Sequence, residues 1–528
     1  MRFLRWLAAT EYRFPILLLV YFGLHVLVRG MLSSSLTFDE AEQVYLSQWW
    51  EIGYNGQPPL YTWVQTPLLE VIGRASIALP LVKNAFLFLT YLCVYSAVTR
   101  ICQSRSAGMV ASAAMLTMPQ IAWESHRDLS HTVAAVFAAS WLLLAIINVH
   151  QRPTMVNYVA IGLATAAGLL FKYNFAIVLV AFIAAALSIE SFRRRLYDRR
   201  IIVSIVLAVI CIGPHYWWAI HHWETASSKA LTQLVPSEWM PMGERITTGL
   251  IRLVWSTLSC CAVTIVIFAI AFRDLGRVWW SQSRRSELAM YTIDEGRATE
   301  LIERTIIGVT LLLVMLAVSG NAVETKNHWL QPYLFLLPIY LVLRLKRFVA
   351  MDEIGGARIL TTAGVFGAVV LSVMVGRPIS ASMRGDYSWL NVPYSGLAER
   401  LELIPQRPAM IVATDVRTAG NLKAHLPAIP VVTVRDYRSR VSAKDETQHR
   451  VLLVVDRVND GDADWPLYRM AEAMDRSIDQ VVAVSTKIEL PYRFGTGEDG
   501  HSFRVSDVRP LDGESEPADR IATSPDGR

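Results

Sequence analysis

Apolar stretches long enough to cross a hydrocarbon core of ~30 Å recur from the N-terminus to residue 376, with short polar connections between them. The hydropathy pattern marks about eleven: 15–32, 78–99, 107–123, 129–149, 154–171, 174–190, 200–220, 248–272, 304–320, 329–345 and 357–376. Backbone polar groups in a bilayer must be satisfied within the segment, so stretches of this length predict a polytopic bundle of membrane-spanning helices. The stretch 107–123 is short and contains Pro119, and the two stretches flanking Lys172 read either as two spans or as one broken element.

Past residue 376 the period changes. Short β-branched runs at 410–415, 430–434, 451–456 and 481–485 alternate with helical patterns near 394–403, 417–425 and 465–476. Strands alternating with short helices predict a small C-terminal α/β domain over 377–511. The segment 512–528 has little apolar content to bury and is expected to be disordered. The loop 33–78 after the first span is patterned too. Val44, Tyr45, Gln48, Trp49 and Ile52 recur at helical steps, which predicts an amphipathic helix over 40–52 lying at the membrane interface, with Trp49 and Trp50 in an aromatic belt. Pro58-Pro59 then forces a turn before a second helical stretch, 60–72.

Composition agrees: 53% of the 528 residues are hydrophobic and the mean hydropathy is +0.34. Charge adds orientation. Arg2, Arg5 and Arg13, then Arg193–Arg195 with Arg199 and Arg200, then Arg273, Arg277, Arg284 and Arg285, then Arg344, Lys346 and Arg347 all fall on one side of the spans. The positive-inside rule makes that side cytoplasmic, so loop 33–78, loop 124–128, Lys172, loops 221–247 and 321–328 and the C-terminal domain are expected on the periplasmic side of an inner membrane. No small-residue cleavage site follows the first span, which reads as an uncleaved anchor. The net charge of +5 reflects this bias and does not indicate a nucleic-acid partner. The five cysteines show neither CxxC nor zinc spacing, and no P-loop is present, so no metal or cofactor is indicated.

The candidate chemistry sits on the non-cytoplasmic side. Asp39 and Glu40 open the outer loop, where a carboxylate at the bilayer edge marks either a functional site or a helix cap. Glu124, His126, Arg127, Asp128 and His131 crowd one short connection. Arg127 is a candidate for contact with a phosphate or an acidic sugar, or else an ion-pair partner of Glu124 or Asp128. Lys172 and Lys326 are candidate cations, the former otherwise a snorkelling lysine. His328 is a candidate donor or an interfacial histidine. His215, Trp217, Trp218, His221, His222 and Trp223 read as an interfacial belt or a stacking surface.

These motifs in this order resemble a known family. Asp39-Glu40 after the first span, Pro58-Pro59-Leu60-Tyr61-Thr62-Trp63 in the same loop, Gly168 through Asn174, and Lys326-Asn327-His328-Trp329-Leu330-Gln331-Pro332 are similar to motifs of C-type membrane glycosyltransferases. The group is that of the protein O-mannosyltransferases, the lipid A aminoarabinose transferase and the rhizobial lipopolysaccharide galacturonosyl transferases. The resemblance implies a helical bundle with extracytoplasmic catalytic loops. It also implies a polyprenyl-phosphate-linked sugar donor and a lipid, glycan or protein acceptor in the cell envelope. A phosphate leaving group needs no general acid, so the enzyme must supply a base for the acceptor hydroxyl and cations for the departing phosphate. By its place in the motif Asp39 is the expected base, with Glu40 second; Lys172, Lys326 and His328 are the expected phosphate ligands. Relatives carry an Asp near the start of the fourth span, a place that Asp128 or His131 occupies here. The aminoarabinose enzyme has Glu-Lys before its Pro-Pro where this chain has Gly56-Gln57, which argues against that sugar. A flippase of lipid-linked glycans is the competing class, but its charges would lie deep in several spans and its halves would be related.

Overall fold

The structure, a computed structural model, describes residues 2–54, 56–227, 239–273, 292–324, 326–346, 351, 354–405, 407–440, 450–456 and 465–510. The expected disordered tail 512–528, and Arg277, Arg284, Arg285 and Arg347 of the basic clusters, lie outside the described residues. The chain divides into two compact units. One is Met1–Leu32 with Trp49–Arg377, the other Ser33–Gln48 with Pro378–Arg528.

The first unit is helical. Each of the eleven apolar stretches forms helix, and among the described residues seven helices are long and apolar enough to cross a membrane: Arg13–Leu32, Ala75–Cys102, His131–Gln151, Ile201–His221, Met242–Ala271, Asp294–Val318 and Ile354–Ile379. Phe175–Ser188 and Glu190–Leu196, bent by 112° at their junction, make an eighth if counted as one span. The others are shorter. Met155–Phe171 has 17 residues, Leu336–Lys346 has 11, and Arg105–Ala114 stops where Met115–Thr117 tightens to 3₁₀ and Gln120–Glu124 widens to a π turn. Pro119, lacking an amide hydrogen, sits at that break.

Helix Arg13–Leu32 illustrates why the unit needs lipid. Phe14, Leu18, Phe22 and His25 bury one stripe at three- and four-residue steps, while Leu19, Val20, Leu27 and Met31 are exposed on the other side. An apolar face of this kind is stable against acyl chains and unstable in water. Between helices, small residues let backbones approach. A Cβ on Gly162 would stand 2.6 Å from the Ser204 carbonyl oxygen, and the Ser204 hydroxyl donates to the Tyr158 carbonyl at 2.6 Å.

The second unit is an α/β domain with strands β1 (Met410–Ala413), β2 (Val431–Thr433), β3 (Val451–Asp456), β4 (Val481–Pro491) and β5 (Gly500–Pro510) in the order β2-β1-β3-β5-β4. β1 pairs parallel with β2 and β3; β5 pairs antiparallel with β3 and with β4. β5 was not anticipated. It has no β-branched run and buries alternate residues His501, Phe503 and Val505 between polar ones. Buried Asp456 at the end of β3 accepts hydrogen bonds from the Tyr394 hydroxyl (2.7 Å), Arg417 Nη2 (3.2 Å) and His501. Burial pushes its pKa upward, but His501, Tyr394 and Arg417 together hold the carboxyl below the usual carboxylate range.

The front of the outer loop belongs to this domain. The helix expected over 40–52 runs only from Phe38 to Leu46, and it does not lie exposed along one face as an interfacial helix would. Ala41, Val44, Tyr45 and Leu46 are buried, and the helix packs on helix Val416–His425. The backbones come so close that a Cβ on Gly420 would lie 1.9 Å from the Ala41 carbonyl oxygen. Polar bonds fix the rest. The Asn421 side chain accepts from Leu36 N (2.7 Å) and donates to Leu36 O, and the Ser35 hydroxyl donates to Val392 O at 2.6 Å. Gln48 donates to Val431 O (2.9 Å) and accepts from Val431 N (3.1 Å), so it pairs the outer edge of β2 as a strand would.

Candidate active site

Helix Phe38–Leu46 presents the two acids in different ways. Thr37 is the N-cap and Glu40 the third helical residue, and together they form a capping box in which Thr37 N donates to Glu40 Oε2 at 3.1 Å. Glu40 is buried and so has the cap role weighed for it from sequence. Asp39 is half-buried at the second helical position, outside the box. The Tyr45 hydroxyl donates to Asp436 Oδ2 at 2.6 Å and so ties the far end of the same helix to the domain.

In the first unit a separate constellation gathers at helix ends. The His131 ring at the start of its helix has Nδ1 3.1 Å from the Phe171 carbonyl, and Lys172 donates to the neighbouring Thr132 hydroxyl. Tyr61, of the Pro-Pro-Leu-Tyr motif, packs its ring 5.3 Å from that of His131. Asn174 Nδ2 donates to Trp329 O at 3.2 Å, and Gln331 Nε2 donates to Gln120 O at 2.6 Å. The motif around Tyr61, the 124–132 connection, the Lys172 turn and the 327–331 turn are thus one neighbourhood, although they are far apart in sequence. Arg127 pairs with Glu124 at 2.8 Å, the ion pair weighed from sequence. His328 is half-buried on the 3₁₀ turn Asn327–Trp329, and Lys326 is exposed just before it.

Sequence reasoning missed Lys83. This lysine is 4% exposed and donates to His126 O (3.2 Å) and Asp128 O (3.4 Å), which pins the backbone of the ionisable connection. The His126 ring stacks on His25 with centroids 3.7 Å apart. Burial pushes the His126 imidazole well below its usual pKa, and the neighbouring His25 and Lys83 push it further. The connection is therefore held by a buried lysine and a stacked pair of histidine rings. A lone Lys in an otherwise apolar span is the only signal in the sequence for it, and such residues are functional suspects on general grounds. The expected belt at 215–223 is partly structural. His215 lies between the Ile52 carbonyl (Nδ1, 2.9 Å) and the Tyr173 hydroxyl (Nε2, 3.0 Å), and a Cβ on Gly53 would collide with the Trp218 ring at 2.0 Å. Among the described residues no three His, Cys, Asp or Glu side chains converge as a metal site would require.

Long lipid-facing helices define a multi-pass membrane protein, and at one set of helix ends hydrogen-bonding groups from several distant segments meet. Residues 56–218 match the family model of dolichyl-phosphate-mannose-protein mannosyltransferase, a stretch that runs from the Pro-Pro motif through Lys83, Lys172 and His215. The lipopolysaccharide core galacturonosyltransferase RgtB of Rhizobium johnstonii is 33% identical over 92% of this chain and 95% of its own length. RgtA of the same organism, also a lipopolysaccharide core galacturonosyltransferase, is 31% identical over 94% and 97%. The crystal structure of ArnT from Cupriavidus metallidurans bound to undecaprenyl phosphate superposes with a TM-score of 0.57 at 13% identity, covering 96% of this chain and all of that one; it speaks for the fold. The chain belongs to the C-type membrane glycosyltransferases, in the group of the rhizobial galacturonosyltransferases.

Proposed function

We propose that this enzyme transfers a uronosyl residue from a polyprenyl-phosphate-linked donor to a sugar hydroxyl of lipopolysaccharide at the periplasmic face of the inner membrane. The observation that carries this reading is the 33% identity to a lipopolysaccharide core galacturonosyltransferase over 92% of the chain. The acceptor oxygen attacks the anomeric carbon, the bond from that carbon to the phosphate oxygen breaks, and polyprenyl phosphate leaves with the bonding electrons. Asp39 takes the acceptor proton. Asp39 is half-buried at the second position of its helix, and a carboxylate is a suitable group to accept such a proton. Lys172, with Arg127, Lys326 and His328, supplies positive charge and donors for the departing phosphate. Asp128 and His131, next to Lys83 and Lys172, orient the sugar.

The test is sugar transfer by purified protein in detergent, from a polyprenyl-phosphate galacturonosyl donor to lipopolysaccharide extracted from a deletion strain. Asp39→Asn should lower turnover ~10²-fold or more while expressing normally. Turnover close to wild type in that variant would sink the base assignment. Movement of the donor between leaflets with no new glycosidic bond would instead sink the transferase chemistry proposed here.

A further inference from the structure

The C-terminal domain contains a cavity of about 510 Å³ with several charged side chains in its lining, and it takes no part in the mechanism above. It opens beyond the carboxyl ends of the parallel strands: Thr414 directly follows β1, Arg435 follows β2 by two residues, and Trp465, Arg469 and Glu472 come from the helix Trp465–Ala473 after β3. Strand β1 has β2 on one side and β3 on the other, so the chain reverses direction across the sheet at this point. Open α/β sheets bind ligands in the crevice outside the carboxyl ends of their strands, at such a reversal.

The lining defines the ligand. Two guanidinium groups face one carboxylate, a net positive site. Arg469 Nη1 lies 2.8 Å from Glu472 Oε2, and the Arg469 guanidinium is 5.8 Å from the Trp465 ring, so that fork is held between an acid and an aromatic face. A planar fork matches a carboxylate or phosphate. The exposed Trp465 indole offers a flat surface for the C–H face of a sugar ring, and Glu472 can accept sugar hydroxyls. A dinucleotide fits poorly. The turn after β1 is Thr414-Asp415-Val416, with no glycine, and the Asp415 carboxylate already caps the next helix, accepting from Thr418 N at 3.0 Å where a diphosphate would have to sit.

We propose that this cavity is a subsite for an anionic sugar, one bearing a phosphate or a carboxylate, in the glycan that receives the new residue. The assignment to the acceptor rests on the glycosyltransferase reading given above. The domain's own geometry suits it. Arg435 adjoins Asp436, which anchors Tyr45, and Tyr45 stands about 9 Å of helix rise from Asp39. One compact unit therefore carries both the candidate base and a grip on a more distant sugar of the same glycan, and the grip serves to keep the reacting hydroxyl in register.

Saturation-transfer NMR on the full-length protein in detergent tests the subsite directly, with glucose 6-phosphate, galacturonic acid and glucose as probes. The two anionic sugars should bind saturably, glucose should not, and their relative affinities decide between phosphate and carboxylate. The double variant Arg435→Gln/Arg469→Gln should weaken anionic-sugar binding by about tenfold or more, and Trp465→Ala should weaken it too. In the transfer assay the double variant should raise the acceptor KM and leave kcat and the donor KM near wild type. Equal binding of glucose, or wild-type binding by the double variant, overturns the subsite whatever the transfer assay gives. An unchanged acceptor KM overturns its assignment to the acceptor. The binding arm involves no transfer, so failure of the donor or base assignment would leave its result intact.

Discussion

The two halves of the loop after the first span are held by different sets of contacts. Ser33–Gln48 is fixed in the α/β domain by directional polar bonds, to Leu390, Val392, Asn421, Val431 and Asp436, and by one backbone-to-backbone contact at Gly420. Trp49–Ile72 is fixed in the helical unit by two ring contacts, Trp218 against Gly53 and Tyr61 against His131, and by a hydrogen bond between His215 Nδ1 and the Ile52 carbonyl. A single loop in sequence is thus two pieces in structure, and the candidate base travels with the polar-bonded piece. The difference shows how a membrane enzyme can carry an acid outside its apolar unit: the α/β domain supplies the hydrogen-bond partners that hold the segment bearing it.

The comparison breaks most visibly at its two close contacts. Gly420→Leu drives a side chain into the Ala41 carbonyl and should cost the domain about 1–3 kcal/mol, releasing helix Phe38–Leu46 to protease and abolishing most transfer. Gly53→Leu meets the Trp218 ring and should loosen Trp49–Ile72 while leaving 33–48 protected. Limited proteolysis read by mass spectrometry separates the two, and identical cleavage patterns would mean that the loop behaves as one piece.

A smaller effect is expected at Lys83. Lys83→Met removes the donor to two buried carbonyls, a loss of about 1–3 kcal/mol, and should lower kcat by displacing Arg127 and Asp128, with the thermal midpoint of the α/β domain unchanged. Lys83→Arg should restore part of the rate. A variant as active as wild type would reduce Lys83 to a tolerated buried charge.

Acid should distinguish the two units next. Asp456 has a folded pKa below its ordinary value of 3.8, so the stability it contributes is complete above the unfolded pKa and is lost as the pH falls through the folded one. The α/β domain should therefore weaken below about pH 4, and Asp456→Asn should flatten that dependence. A domain equally stable at pH 3 and pH 7 by hydrogen exchange would contradict this. Smallest of all, Tyr45→Phe deletes the bond to Asp436 and should cost about 1 kcal/mol, felt in the protection of 33–48 and absent from that of 49–72.

Hydropathy alone determined the bundle, because burial in lipid is read residue by residue: every expected apolar stretch is helical, and Pro119 marked the break in 107–123. The motif order pointed to the glycosyltransferase group, since Asp39-Glu40, Pro58-Pro59 and Lys172 are local words that survive without their context. The capping signal Thr37-x-x-Glu40 was also present in the sequence, and the structure forms the capping box it predicts. The fate of Ser33–Gln48 was not legible. Its amphipathic pattern fits a membrane surface as well as a protein one, and the groups that decide between them stand 385 and 391 positions away, at Asn421 and Asp436. The same holds for β5, whose alternation acquires meaning only when β3 and β4 flank it, and for Lys83, whose two carbonyl partners lie 43 and 45 residues on. Local periodicity records how much of a segment must be buried. Which surface buries it is a matter of long-range pairing, and only the tertiary structure decided that.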